Sequence, residues 1–68
     1  MRIAENIKKL RVERGLTLRQ LASKSELAFG AIGNIERGVI KDPQISTVIK
    51  LAKALEVTVA ELVEDETA

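Results

Sequence analysis

Apolar residues recur at intervals of three and four along most of the chain, and Gly15, Gly38 and Pro43 cut that pattern into short pieces. The spacing is that of amphipathic helices, and the punctuation confines each helix to a few turns. Ile3, Ile7 and Leu10 mark a first helix, with Glu5, Lys8, Lys9, Arg11 and Arg14 on its other faces and Gly15 as the left-handed residue that stops it. Thr17 is a good N-cap for a second helix built on Leu18, Leu21 and Ala22. Residues 25 to 28 make a tight connection to a third helix over 29 to 37, which turns Ile32 and Ile35 inward and ends at Gly38. Pro43 disfavours a helical Asp42, so VIKDP is a loop. Ile45, Val48, Ile49, Leu51, Ala52 and Leu55 give the most strongly periodic helix, starting near Gln44 or Ser46. Thr58 caps a last short helix carrying Val59, Leu62 and Val63, and the tail EDETA is expected to fray. The alternation VTV at 57 to 59 is too short for a strand, so the expectation is an all-α fold of five short helices.

In a chain of 68 residues the core is small enough to leave roughly a few kcal/mol of net stability unless a staple or a partner subunit adds to it. There is no Cys and no His, which removes disulfides, the usual zinc ligands, and any Cys, His or Ser/His nucleophile system. Glu61, Glu64, Asp65 and Glu66 lie in or near the tail with no nucleophile or base opposite them, so the sequence points to no catalytic residue, no metal, no cofactor and no small-molecule substrate. No apolar run approaches the length of about 18 residues that spans a bilayer, and MRIAENIKK is charged from the start. Neither a membrane segment nor a signal peptide fits, and the expected compartment is the cytoplasm.

The net charge of +1 conceals a polarity. Residues 1 to 41 hold nine Lys/Arg against four Glu, and residues 42 to 68 hold two Lys against six acids. A basic first part suits a polyanion. Within it, TLRQLASKSELAFGAIGNIERG sets a helix, a turn of about four residues and a second helix in the order that lets one cross a DNA backbone while the next enters the major groove. Gly30 and Gly33 each cost that second helix about 1 kcal/mol relative to Ala. Small residues there let a backbone approach a partner closely. Arg19, Lys24 and Lys41 flank the two helices and are the phosphate candidates among the cations, while Lys8, Lys9 and Arg14 read as solvated.

The sequence resembles the Cro/cI-type, or XRE-like, helix-turn-helix transcriptional regulators. ENIKKLRVERGLT, LRQLASKS, IERG and IKLAKALEVTVAELV carry the resemblance over nearly the whole chain, and the loop between IERG and DPQI is most similar in length to that of SinR-type repressors. It implies a compact five-helix, lambda-repressor-like domain over residues 1 to 68, with the helix-turn-helix at about 17 to 37 and an acidic tail at 64 to 68. It also implies sequence-specific recognition of double-stranded DNA, usually by a homodimer on a pseudo-palindromic operator, and repression of transcription. By position, Phe29, Gly30, Gly33, Asn34 and Arg37 would face bases, and Thr17 and Leu18 would hold a phosphate through backbone N–H groups and the helix dipole. Arg37 would touch a phosphate or a guanine edge, Asn34 would read adenine, and Phe29 would meet a thymine methyl. Arg11 and Glu36 would form a partly buried ion pair between the first and third helices.

The chain departs from the family pattern at three places. Base-facing positions that commonly carry Gln, Ser or Arg hold Phe29, Gly30, Ala31, Gly33 and Asn34; Ala28 replaces a customary Ser or Thr cap; and Glu26 stands where the turn usually has Gly. Ile49, Val59 and Val63 exceed what so small a core buries, which places the expected dimer interface on the fourth and fifth helices. The competing expectation is a protein-interaction module or antitoxin on the same fold, docking a protein through Phe29 and the two glycines.

Overall fold

The computed structural model describes residues 2–64 and contains five helices: α1 (Ile3–Glu13), α2 (Leu18–Ser25), α3 (Phe29–Glu36), α4 (Ile45–Leu55) and α5 (Val59–Val63). No strand occurs among the described residues. Apart from Glu64, the acidic tail lies outside them, and so does its expected fraying.

Four of the five helices close in the same way. At the end of α1, Leu16 N–H donates to the Arg11 carbonyl at 3.0 Å and Gly15 N–H to the Val12 carbonyl at 2.9 Å, with Gly15 at φ +68°. This is the Schellman arrangement, in which a left-handed residue turns the chain back onto the last carbonyls. Gly38 repeats it after α3. After α2 and α4 the left-handed residue is a glutamate, Glu26 and Glu56, each at φ 59°. The turn geometry that usually relies on Gly is therefore kept at Glu26, with the Cβ strain that an L-residue carries there.

Ile3, Ile7, Leu21, Ala22, Ile32, Ile35, Val48, Leu51, Ala52, Leu55 and Leu62 form one buried core to which every helix contributes. Each fully buried Leu or Ile contributes about 1.5–3 kcal/mol through removal of apolar surface from water. Polar side chains fasten the ends. Asn6 Nδ2 donates to the carbonyls of Leu62 and Glu64, both at 2.9 Å, which ties α5 to α1. Ser25, the buried polar residue at the end of α2, donates its hydroxyl to the Leu21 carbonyl at 2.7 Å.

The structure differs from the sequence expectation in three details. α3 ends at Glu36, with Arg37 as its cap. Ile45 is in phase with the buried stripe of α4 yet 66% exposed, because it is the first residue of the helix, one turn ahead of Val48. Of the residues expected to exceed the core, Ile49 is exposed, but Val59 and Val63 are half-buried and pack against that core.

Candidate nucleic-acid interface

The start of α2 is organised by a capping box. Thr17 Oγ1 accepts from Gln20 N–H at 3.1 Å, and the Gln20 side chain reaches back to accept from Thr17 N–H at 2.8 Å. Two of the four amides that a helix start leaves without a helical acceptor are thereby occupied. Of the amides at this helix start, Thr17 N–H is taken by Gln20, and those of Leu18 and Arg19 are left to face an anion. Leu18 keeps its side chain packed on the core, and its backbone lies at the positive end of the helix dipole.

α3 is held from behind. Ile32 and Ile35 are buried, and Glu36 is gripped by Arg11, Nε to Oε2 at 2.7 Å and Nη2 to Oε1 at 3.3 Å. Arg11 also donates from Nη1 to the Leu16 carbonyl at 2.7 Å, so the same guanidinium fixes the segment leading into α2. With that side anchored, the opposite face of α3 is presented outward.

On this outward face Phe29 is 43% exposed, and the Arg19 guanidinium carbon stands 4.5 Å from its ring centroid. A cation over an aromatic face is a favourable contact, and it joins the start of α2 to the start of α3. Ala28, ahead of Phe29, makes no side-chain cap. Gly30 is open: a Cβ there would meet nothing within 4 Å.

Gly33 is different. It is buried, and a Cβ on it would come within 3.1 Å of Arg37 Nη1. The Arg37 side chain folds back along the helix over Gly33, and its Nη2 donates to Asn34 Oδ1 at 2.5 Å. The bare surface expected at both glycines is therefore confined to Gly30. One of the two lone pairs of the oxygen that a bidentate adenine contact by Asn34 would use is engaged with Arg37.

Lys24 and Lys41 are exposed. Among the described residues no group of acids, His or Cys is arranged to hold a metal ion, and no helix is long and apolar enough to cross a membrane.

Sequence reasoning missed Gln20, the Arg19–Phe29 contact and the Arg37–Asn34 bond. The first was legible, since a Gln three residues after a capping Thr is the capping-box pattern. The last was accessible as an i, i+3 pair on a helix. The Arg19–Phe29 contact spans two helices and carries no local signal.

A helix-turn-helix family model matches residues 7–62. The immunity repressor protein of Bacillus phage phi105 is 39% identical over 67 residues, 98% of this chain and 46% of that protein. The HTH-type transcriptional regulator SinR of Bacillus subtilis (strain 168) is 33% identical over 64 residues, 94% of this chain and 58% of that protein. The chain spans about half the length of the curated relatives it matches. Among solved structures, SinR, the master regulator for biofilm formation, in complex with DNA superposes with a TM-score of 0.88 at 34% identity, covering 91% of this chain and 98% of that chain.

Proposed function

The chain belongs to the helix-turn-helix family, and on that premise we propose that it is a sequence-specific double-stranded DNA-binding regulator of transcription, acting as a repressor by occupying its operator. One observation carries the reading. α3 is locked from behind by the Arg11–Glu36 pair, and its outward face, with the adjoining start of α2, gathers Arg19, Phe29, Gly30, Asn34 and Arg37. The likeness to a SinR chain solved in complex with DNA supports it.

In this reading α3 lies in the major groove, with Gly30 allowing close approach and Phe29 offering apolar contact to a thymine methyl. Gly33, beneath Arg37, sets how near that side chain lies to the helix. Leu18 and Arg19 amides hold one phosphate, with Thr17 shaping the turn that presents them, while the Arg19, Lys24 and Lys41 side chains neutralise others. With few polar readers, part of the specificity comes from DNA shape. The protein works in the cytoplasm, on the nucleoid, and is a binding protein rather than an enzyme. The rival docking of a protein on Phe29 fits less well, because the cation standing over one face of the ring favours a polyanion.

The operator is bound by a homodimer joined through Ile49, Val59 and Val63, with the exposed Ile45 beside Ile49 one turn away on α4. A symmetric pair of α3 helices then reads half-sites about one turn of DNA apart. Selection from random duplexes tests the reading: a consensus with two-fold symmetry is expected, and recovery of no consensus contradicts it. Sedimentation equilibrium tests the dimer, with Ile49→Asp expected to shift it toward monomer.

A further inference from the structure

Asn34 and Arg37 are bonded to each other, and the direction of the bond is fixed by chemistry. A guanidinium has five N–H donors and no acceptor, so the Asn34 atom facing it is the carbonyl oxygen Oδ1, at 2.5 Å from Nη2. What remains for a partner is the Asn34 amino group and the rest of the Arg37 fork, all donors, together with a second lone pair of Oδ1 that lies beside the guanidinium charge. Gly33 permits the arrangement, since the guanidinium lies where a β-carbon at that position would come within 3.1 Å of Nη1.

From this we infer that Asn34 and Arg37 act as one composite, donor-rich reader whose target is the major-groove edge of a guanine. Guanine presents two acceptors there, N7 and O6; adenine pairs its N7 acceptor with an N6 donor, cytosine shows a donor, and thymine a single O4 acceptor. A free Asn matches adenine because it supplies one donor and one acceptor. With Oδ1 already accepting from Arg37, an adenine N6 group would have to share that oxygen with the guanidinium and bring its own N–H donors up against a cation. The bond also holds a long, flexible side chain in place before DNA arrives, which lowers the ordering cost of the contact. The inference rests on the DNA-binding reading and names the base that reading left open.

The test is selection from random duplexes by the wild-type chain, Asn34→Ala, Arg37→Ala and the double variant, followed by affinity measurements on the wild-type consensus. Thermal melts establish that each variant is folded. The expected result is a guanine in each half-site at which both single variants lose preference, by about ten- to a hundredfold. The double variant should lose little more than either single one, and 7-deazaguanine at that position, which lacks the N7 acceptor, should weaken wild-type binding. The inference is overturned if Asn34→Ala relaxes an adenine position while Arg37→Ala relaxes a different one, or if the two losses add in full. Failure of the wild-type chain to select any sequence would instead overturn the DNA-binding reading beneath it.

Discussion

Arg11 on α1 and Glu36 on α3 are joined by two bonds, Nε to Oε2 at 2.7 Å and Nη2 to Oε1 at 3.3 Å, with side chains 15% and 8% exposed. Removing one partner leaves the other charge largely buried without compensation, at a cost of about 3–5 kcal/mol. Arg11→Ala and Glu36→Ala should each lose most of the stability of so small a domain in urea titrations. Arg11→Met with Glu36→Leu, which removes both charges together, should be markedly less damaging than either.

Gly30 and Gly33 separate stability from binding. Ala at Gly30 meets open space, and Ala at Gly33 meets the far end of the flexible Arg37 side chain. Both substitutions should stabilise the fold by about 0.4–1 kcal/mol, read from thermal melts. Both should also weaken DNA binding, Gly30→Ala by holding the helix away from the groove and Gly33→Ala by displacing the Arg37 guanidinium. Stabilised variants with unchanged affinity would show that neither glycine serves recognition.

Glu26 and Glu56 occupy left-handed backbone at φ 59°. Replacing either with Gly removes the Cβ strain, worth about 1 kcal/mol. Each variant should melt about 4–8 °C higher, as that free energy implies for a domain of this size. The two sites close different helices, so their effects should add.

Glu61 closes the capping box of α5, and the hydrogen bond from Thr58 N–H, followed by that from the Thr58 hydroxyl, holds its carboxyl below the ordinary value of 4.5. A depressed folded-state pKa adds stability above the unfolded-state value, and that increment disappears as pH falls through the folded one. The stabilising effect of Glu61 should therefore be complete above about pH 4.5 and fade below it. A pH series of thermal melts on the wild type and Glu61→Gln should show the wild type losing more on acidification, with the difference confined to that acid range.

The helices were legible because their signals are local: three-and-four apolar spacing, Thr17 and Thr58 as caps, Gly15 and Gly38 as stops. The inward side of α3 was legible for the same reason, through Ile32 and Ile35. The outward side was less so. Apolar spacing describes which residues leave water, and it says nothing about how Arg37 folds over Gly33 or where Arg19 comes to rest on Phe29. Ile45 shows a second limit, since a residue can share the phase of a core stripe and still lie at its exposed end.

Recognition of DNA by the outward face of α3 and the cations beside it is tested most directly by affinity against salt, measured by fluorescence anisotropy on the selected duplex and on a scrambled one. Neutralisation of phosphates by Arg19, Lys24 and Lys41 should give a log-log slope of about −2.7 per protomer, from about −0.9 for each phosphate. The selected duplex should bind more tightly at every salt concentration, and Lys24→Ala should make the slope shallower by about one. A flat salt dependence, or equal affinity for the two duplexes, would contradict the account.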